Sequence, residues 1–461
     1  MSNCSAPKPL HLGLMFIGGT ELPAIFIHLS DIHFGQEKNG GWVKTNADAK
    51  ERLMDDVQAE LVRRGSNASG IIVTGDIAYS AQPEQYAAAG LWLDELAART
   101  GCDRLCTQLV PGNHDIDRDS ITKAIGWKIQ SIRDYGDDVL DMLLDDEAER
   151  ESLFKRFAAY RDFAQGYGCD LDSFGEYSAD HAVQLAPGRS IRFVRLNSAL
   201  SCSKKDEPGA LILGARQRVI PQVPGEEVVA LMHHPLHWFM DTVEARKYIA
   251  NRARVVISGH EHYPSIDVST VEDGSDLMLL AAGAAAPDHI GEKYTYKYNI
   301  LEFDWDQETD SLSVSINPRT WDDEHKRFHK DHEFLASTQE QHLLASPNFK
   351  QAPRAQSFHP TTAEAPKVIP VVNPISGAGR SEMDITARDR ALRLKFFRDI
   401  SKTQRLKILA DLGGLPVGAG AKFDHALEQT FFARILSKGR AEELAIAIEK
   451  ALSDAKTEGS K

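Results

Sequence analysis

The sequence predicts an α/β domain followed by a small all-helical unit. Over residues 24–115, apolar runs alternate with amphipathic stretches in the order strand, helix, strand, helix, strand. This order is typical of a mostly parallel sheet covered by helices. Residues 385–461 instead show helical spacing of apolar residues, and Leu392, Phe396 and Ile400 fall on one helical face.

The first part of the α/β domain supplies three strands and two helices. Strands are expected at the apolar runs 24–27, 71–73 and 105–110. A helix is expected at about 47–64, because apolar residues recur there at helical spacing, and another is expected near 83–99.

The later part of the same domain is rich in strands. Alternating apolar residues predict strands at 191–197, 277–281, 298–305 and 312–316. Residues 116–182 are charged and helix-like, and we expect them to be an insertion that caps the rim of the sheet. A structural lid and a role in substrate selection are both consistent with this pattern.

The predicted domain boundaries follow changes in composition. Residues 1–23 are expected to be an N-terminal extension, and the α/β domain is expected to span 24–343. Six prolines are scattered among Ala, Ser, Thr and Gln over residues 344–384, which indicates a linker.

The C-terminal unit is predicted to be a helical bundle. Ser401 and Gln404 have the spacing of a capping box, and Gly413 begins a glycine pair that would end the helix they start. Helices near 423–436 and 441–452 would complete the bundle.

Charge and cysteine usage indicate the cellular setting. The net charge of −14 argues against a global electrostatic grip on nucleic acid, and the basic stretch 388–407 is more typical of a solvated helix face.

The five cysteines have neither disulfide nor zinc spacing, which favours a reducing cytoplasm. No run approaches the ~20 apolar residues of a membrane span. Residues 10–17 lack the flanks of a signal peptide, and Met15 is an alternative start to Met1.

Five short clusters of Asp, Asn and His carry the chemistry. Each comes at or just after an apolar run, and open α/β sheets bind ligands at the carboxyl ends of their strands. We therefore expect a polar rim along one edge of a sheet. The clusters are Asp31-Ile32-His33, Gly75-Asp76, Gly112-Asn113-His114-Asp115, His233-His234-Pro235 and Gly259-His260-Glu261-His262.

The donor types in these clusters predict a site for two divalent metal ions. Asp31 and His33 lie two residues apart and can point to the same side, as can His260 and His262. Asp76, in a tight Thr-Gly-Asp turn, is the natural bridging carboxylate. Carboxylate, amide and imidazole donors suit Mn, Fe or Zn better than Mg or Ca. Two such ions, about 3.5–4 Å apart, would turn a bridging water into a hydroxide nucleophile and clamp a phosphoryl group.

The order Asp-x-His, Gly-Asp, Gly-Asn-His-Asp, His-x-Pro and Gly-His-x-His resembles the calcineurin-like metallophosphoesterase superfamily over residues 24–300. The resemblance implies a four-layer αββα sandwich with a dinuclear metal site. One metal would be held by Asp31, His33 and His262 and the other by Asn113, His233 and His260, with Asp76 as the bridge.

The resemblance also implies roles for neighbouring residues. His114 would contact the phosphate or protonate the leaving oxygen, which makes His114 and Asp76 the expected catalytic residues. In the fourth cluster His233 is the expected ligand, because the family ligand usually precedes the proline by two, and His234 is the alternative. Residues expected to orient the ligands are Asp115, Asp117 and Arg118.

Departures from the family pattern narrow the expected substrate. Protein Ser/Thr phosphatases of this superfamily carry Arg and Glu where this chain has Pro111 and Asp115. The pattern is more similar to the bacterial branch that includes cyclic-nucleotide phosphodiesterases. We therefore expect hydrolysis of a phosphodiester in a nucleotide or nucleic acid, with a phosphomonoesterase as the alternative. Trp238 and Phe239 are candidates for stacking on a base or for core packing.

The C-terminal unit weakly resembles the death-like effector-associated adaptor domains of bacterial conflict systems. This resemblance implies a protein partner for residues 385–461. It keeps open a third interpretation, in which the chain is an effector or adaptor recruited through this unit.

Overall fold

The computed structural model describes residues 23–36, 43–179, 182–271, 274–287, 295–351, 386–413 and 425–458. The predicted N-terminal extension, except for its last residue, and most of the predicted linker lie outside these ranges. None of the helices within them has the length and apolar character that crossing a bilayer requires.

Fourteen strands in the described residues form two sheets. In chain order they are β1 Ala24–Leu29, β2 Gly70–Thr74, β3 Thr107–Val110, β4 Ser178–Ala179, β5 Val183–Ala186, β6 Arg189–Arg195, β7 Glu226–Leu231, β8 Ala253–Ser258, β9 Ser265–Thr270, β10 Asp276–Ala281, β11 Lys297–Asp306, β12 Ser311–Asp322, β13 Arg327–Lys330 and β14 Gln341–Leu344.

The first sheet has the order β13-β12-β11-β1-β2-β3, and β14 also pairs with β12. Strands β1, β2 and β3 are parallel, whereas β11 runs antiparallel to β1. The second sheet has the order β4-β6-β7-β8-β10-β9, and β5 also pairs with β6. Strands β6, β7, β8 and β10 are parallel, and β9 is an antiparallel edge strand.

The two sheets pack face to face over an apolar core. Phe26, Phe193 and Phe303 meet there edge to face, with ring centroids 4.8–6.0 Å apart. This core holds Ile72 of the first sheet and Val229 of the second, both fully buried. Because helices cover the outer face of each sheet, the predicted αββα sandwich is confirmed.

Most helices of the sandwich form two outer layers, one on each sheet. Leu53 and Leu93 pack the first layer against the first sheet, and Ile129 and Ile249 pack the second layer against the second sheet. The helices of the sandwich are Val43–Arg64, Pro83–Thr100, Lys123–Tyr135, Asp137–Asp145, Glu147–Phe154, Ala158–Gly166, Ala215–Arg218, Thr242–Ala250, His332–Leu335 and Pro347–Gln351.

Much of the insertion at 116–182 packs in the outer helical layers of the sandwich, and its role as a cap on the rim stays a prediction. Its apolar residues, such as Ile125 and Leu140, are buried in the outer layer of the second sheet. Further along, Tyr160 and Phe163 enter the outer layer of the first sheet. The apolar spacing of these helices therefore serves the layers of the sandwich, and a role in substrate selection stays a prediction.

The boundary predicted at residue 344 is wrong by several residues. Leu344 ends β14, and the short helix Pro347–Gln351 follows it. Phe349 is fully buried in the core between the sheets, so the chain up to Gln351 is part of the sandwich. The composition that indicated a linker overlooked this apolar anchor, and residues 352–384 lie outside the described ranges.

The C-terminal unit is a helical bundle, as predicted. Its own apolar core includes Phe396, Phe432 and Leu444. Ser401 and Gln404 form the predicted capping box. Residues 395–399 form a π-helical turn that the sequence pattern did not indicate. The bundle helices are Ala387–Leu394, Lys402–Asp411, His425–Ser437 and Ala441–Glu458.

Candidate metal centre

The five clusters meet at the carboxyl ends of strands from both sheets. The Asp31, Asp76 and Asn113 clusters follow β1, β2 and β3 of the first sheet. The His233 and His260 clusters follow β7 and β8 of the second sheet. The prediction of a rim on one sheet was therefore wrong in this respect: the site spans the ends of two stacked sheets.

Backbone hydrogen bonds join the clusters to one another. The Asp31 amide donates to the Gly75 carbonyl over 3.1 Å, and the Gly259 amide donates to the His233 carbonyl over 2.9 Å. The His260 amide donates to Asp31 Oδ2 over 3.2 Å and so ties the two sheets together. These bonds fix the relative positions of the loops that carry the polar side chains.

The candidate ligands adopt a backbone conformation that most residues avoid. Eight described residues other than glycine have a positive φ, and five of them are candidate ligands. Such conformations cost free energy and cluster at functional sites. The five, with their φ angles, are Asp31 at 54°, His33 at 52°, Asp76 at 53°, His260 at 73° and His262 at 57°.

Two cluster glycines leave room for the polar groups of other segments. A Cβ on Gly75 would lie 2.5 Å from His233 Nδ1, and a Cβ on Gly259 would lie 1.8 Å from Ser30 Oγ. Real Cβ atoms do not approach so closely, so these positions require glycine to let the loops meet.

Four overlapping groups of side chains could each hold a metal ion. Within a group, one donor atom from each residue lies within 4.8 Å of the others. Asp31, Asp76, His33 and His233 each occur in two of the groups. The groups are Asp31, His33 and His262; Asp31, Asp76 and His233; His33, Asp76 and His114; and His233, His234 and His260.

Asp76 and His233 lie at the centre of this arrangement. Asp76 Oδ2 is 3.3 Å from both His33 Nε2 and His233 Nε2. His233 Nε2 is also 3.2 Å from Asn113 Oδ1 and 3.2 Å from His260 Nδ1. Donor atoms from several strand ends thus converge on one small volume.

Asp31 completes the other side of the site. Its Oδ1 lies 3.1 Å from His262 Nε2. Asp31, like Asp76, is buried, and the partners recorded for both are imidazoles and backbone amides. Buried carboxylates need compensating charge, and bound cations supply it.

Second hydrogen bonds turn two imidazoles toward the centre. His33 Nδ1 donates to the Ala286 carbonyl over 3.1 Å, and His233 Nδ1 donates to the Thr74 carbonyl over 2.7 Å. A carbonyl only accepts, so these bonds place the proton on Nδ1 and leave the Nε2 lone pair for a metal. The residues present therefore fit divalent ions.

Comparison with known proteins identifies the family. Residues 25–264, more than half of the chain, match calcineurin-like phosphoesterases. The chain belongs to the calcineurin-like phosphoesterase family. Members of this family are hydrolases of phosphoesters that bind divalent metals. Residues 388–450 match a second family, the GTPase-associated adaptor domain.

One curated relative and several solved structures are similar to this phosphoesterase. The Bacillus subtilis metallophosphoesterase-like protein YydB, which is described as uncharacterized, is 24% identical over 332 residues, and the match covers 67% of this chain and 62% of YydB. The purple acid phosphatase PPD1 of yellow lupin is 9% identical with a TM-score of 0.35, covering 74% of this chain and 57% of that one. A putative 5'-nucleotidase from Staphylococcus aureus is 13% identical with a TM-score of 0.30, covering 63% and 52%.

His114 stands beside the candidate ligands of the phosphoesterase. Its amide donates to Asp76 Oδ1 over 2.8 Å, and its Nδ1 donates to the Tyr79 carbonyl over 2.7 Å. Its ring lies 4.9 Å from the His33 ring and stacks on the Tyr79 ring at 5.2 Å. His114 Nε2 is therefore the free ring nitrogen next to the site.

The electrostatics of the site favour ionised carboxylates. Although burial opposes ionisation, the neighbouring imidazoles hold the pKa values of Asp31 and Asp76 below their usual range. Burial also disfavours a charged His233, but the Asp76 carboxylate outweighs it and raises the pKa of His233 to about 9. Burial lowers the pKa of His260 to about 3, so that ring is neutral.

His234, the alternative ligand, faces a different set of partners. Its Nδ1 lies 3.0 Å from Ser198 Oγ, and its Nε2 lies 3.7 Å from Cys202 Sγ. Ser198 Oγ also accepts hydrogen bonds from the amides of His233 and His234, each over 3.1 Å. Ser198 thus shapes this turn, and no sequence motif had indicated it.

The three residues expected to orient ligands differ in position. Asp115 is buried and accepts hydrogen bonds from backbone amides of two clusters. Burial and the Asp76 carboxylate raise the pKa of Asp115 to about 6. The Asp117 carboxylate accepts from the amides of Asp119 and Ser120, so it caps its own turn. Arg118 lies near enough to His114 to help lower the pKa of that ring.

The two aromatic residues after the fourth cluster have separate roles. Phe239 is buried in the outer core of the second sheet, which is the core-packing alternative. Trp238 is half-buried and meets the His260 ring edge to face at 4.1 Å. Trp238 therefore supports the position of a candidate ligand.

A fifth group of possible metal donors shares no residue with the other four and lies between the insertion and the C-terminal bundle. It contains Asp162, His425 and Glu428. The Arg405 guanidinium sits between the carboxylates, 2.9 Å from Asp162 Oδ2 and 2.6 Å from Glu428 Oε1. This group is therefore an ion-pair network that already contains its cation.

Proposed function

We propose that this phosphoesterase hydrolyses phosphodiester bonds of a nucleotide or nucleic acid with two bound divalent metal ions. The observation that carries the proposal is the convergence of overlapping ligand groups that share members, among them the buried carboxylates of Asp31 and Asp76. Together with Asn113, the converging side chains offer more donors than the six that one octahedral ion takes. The donor set favours Mn, Fe or Zn.

We assign the ligands in two sets that share Asp76. Asp31, His33 and His262 would hold one ion, and Asn113, His233 and His260 would hold the other. His233 is favoured over His234 because its Nε2 faces Asn113 and Asp76, whereas His234 faces Ser198 and Cys202.

Bound metals would lower the pKa of a water and neutralise phosphoryl charge. The residues of the chain perform the remaining work. Asp76 and Asp31 stay ionised and fix the metal positions. His114, held by Tyr79 and Asp76, directs Nε2 at the site; with that nitrogen protonated, it would donate a proton to the leaving oxygen or hydrogen-bond to the phosphate.

A phosphodiester is favoured over a phosphomonoester by charge. A monoester carries up to two negative charges, and protein phosphatases of the family meet them with an arginine at the place of Pro111. This chain has proline there, and the monoanion of a diester needs less positive charge. A phosphomonoesterase is the second candidate.

The C-terminal domain supports a further role in recruitment. Its match to an adaptor family favours a protein partner for residues 386–458. The chain would then be the enzyme of a signalling or conflict system, directed by its adaptor domain.

The test is hydrolysis of bis-p-nitrophenyl phosphate, a diester, compared with p-nitrophenyl phosphate, a monoester. Purified protein is assayed with Mn²⁺, Fe²⁺, Zn²⁺ and Ni²⁺, followed by cyclic nucleotides, single-stranded DNA and RNA. We expect faster turnover of the diester. Faster turnover of the monoester would favour the second candidate, and absence of turnover with every metal would reject the enzymatic proposal.

A further inference from the structure

The C-terminal bundle is packed directly on the phosphoesterase domain. Leu394 is fully buried in the outer core of the first sheet, which belongs to the other domain. Two glycines permit this approach: a Cβ on Gly166 would lie 2.8 Å from Arg398 Cβ, and a Cβ on Gly90 would lie 3.3 Å from Arg398 Cδ. The backbones and Arg398 thus meet with no room for a larger side chain.

Alongside the ion pair between Arg405 and Asp162, Arg398 makes a buried set of polar contacts at this interface. Its Nη1 donates to Asp94 Oδ1 over 2.8 Å and its Nη2 donates to Asp94 Oδ2 over 2.9 Å, which is a bidentate pair. Nη1 also donates to the Tyr167 hydroxyl over 2.8 Å. The Arg398 side chain is 8% exposed, so these bonds are shielded from water and salt.

A continuous series of contacts runs from Arg398 toward the metal centre. The ring of Tyr167 packs edge to face on Phe163, with centroids 5.2 Å apart. Phe163 packs on Tyr86, with centroids 5.1 Å apart. The Tyr86 hydroxyl then donates to Asp115 Oδ1 over 2.9 Å.

Asp115 is the point at which this series reaches the metal-binding loops. Its Oδ1 accepts from the Ala78 amide over 3.0 Å, and its Oδ2 accepts from the amides of Ile77 at 3.2 Å and Gly112 at 3.0 Å. The Ile77 and Ala78 amides directly follow Asp76 on one loop, and the Gly112 amide precedes Asn113 on the other. One carboxylate therefore sets the spacing between two ligand loops.

We propose that the C-terminal domain, through Arg398, is a positioning element of the metal centre. Docking of Arg398 on Asp94 and Tyr167 holds Tyr86, and Tyr86 holds Asp115 and the two loops. A protein that draws the bundle away from Asp94 would loosen the metal centre and lower turnover. The proposal rests on the proposed function, and it requires coupling between two sites that do not touch.

The test compares Arg398→Ala with Arg388→Ala in the full chain. Arg388 lies on the same bundle and pairs with Glu442 in an exposed contact within the bundle, so it is the matched control. Hydrogen exchange of the metal-free protein reads out the amides of Ile77, Ala78 and Gly112. We expect them to exchange about 3- to 10-fold faster in Arg398→Ala and at the wild-type rate in the control.

Turnover gives a second readout through a double-mutant cycle with Tyr86→Phe. We expect Arg398→Ala to lower kcat about 3- to 10-fold with little change in KM, and to add no further loss in the Tyr86→Phe background. Independent, additive losses, or a folded Arg398→Ala protein with wild-type exchange and kcat, would overturn the proposal.

A second variant and the exchange measurement separate a failure of this proposal from a failure of the proposed function. Asp94→Asn removes the charge from the other side of the contact and replaces Arg398→Ala if that variant fails to fold. If the wild type shows no turnover, the proposed function is rejected. The amide exchange rates of Ile77, Ala78 and Gly112 still decide whether Arg398 positions the loops.

Discussion

Gly112 and Asp76 are so close that a Cβ on Gly112 would lie 2.1 Å from Asp76 Oδ1. The third cluster therefore folds over the Asp76 carboxylate. This carboxylate occupies the space that a side chain at position 112 would fill. The same carboxylate accepts the His114 amide, so the loop both makes room for Asp76 and orients it.

We predict that Gly112→Ala weakens metal binding. The added methyl group must displace the Asp76 carboxylate, because the nearby atoms are the carboxylate and backbone of Asp76. Calorimetric titration with Mn²⁺ should show affinity at least ~10-fold lower. Gly126→Ala is the control, since a Cβ there meets nothing within 4 Å. Equal losses in both variants would contradict the prediction.

Asp115→Asn should lower metal affinity about 10- to 100-fold. The amide side chain keeps the size of the carboxylate but replaces one acceptor by a donor, which faces the amides of Ile77 and Gly112. Asp117→Asn is the matched control, because Asp117 caps its own turn and should leave affinity unchanged. A larger effect at Asp117 than at Asp115 would show that the assignment is reversed.

Metal binding should release a proton from His233. Its raised pKa of about 9 means that the metal-free ring carries a second proton, on Nε2, near neutral pH, whereas a metal requires the neutral ring. Affinity should therefore rise about tenfold per pH unit as the pH approaches 9. Titrations at one pH in Tris and in HEPES, which differ in ionisation enthalpy, count the protons. Identical heats in the two buffers would be inconsistent with this role.

Glu227 should make the fold less stable as the pH rises. This buried residue accepts from the Asn348 amide and lies 3.4 Å from Arg254, and burial raises its pKa from 4.5 to about 7. The folded state binds the proton more tightly, so its contribution is complete below pH 4.5 and is lost as the pH rises to 7. The loss is at most about 3 kcal/mol.

Urea unfolding between pH 5 and pH 8 tests the Glu227 prediction. We expect Glu227→Gln to gain stability relative to the wild type over this range, because the glutamine does not ionise. A constant difference between the two proteins would refute it.

The sequence indicated which polar residues converge, because each cluster lies within four consecutive residues. The order and spacing of such clusters can be recognised in the sequence without knowledge of the fold. The strand β9, Ser265–Thr270, was missed because it is a short edge strand with mostly exposed residues, in which only Ile266 and Val268 are apolar. The distribution of the clusters over two sheets could not be predicted from the apolar runs, because these runs do not show which strands pair.

Supporting groups were the hardest to foresee. The carbonyls of Thr74 and Ala286 select the imidazole tautomers, and a carbonyl has no residue signature. Tyr86 meets Asp115 from 29 positions away. The contact between Arg398 and Asp94 spans 304 positions, and only the packed structure reveals it.

The number of metal ions bound per chain decides whether the site is dinuclear. The wild type is loaded with Mn²⁺ and freed of excess, bound metal per chain is measured by plasma mass spectrometry, and hydrolysis of bis-p-nitrophenyl phosphate is followed in the same samples. We predict two ions per chain in the wild type, and fewer than two in Asp76→Asn with at least ~100-fold lower turnover. One ion per chain in a fully active wild type, or undiminished turnover in Asp76→Asn, would contradict it.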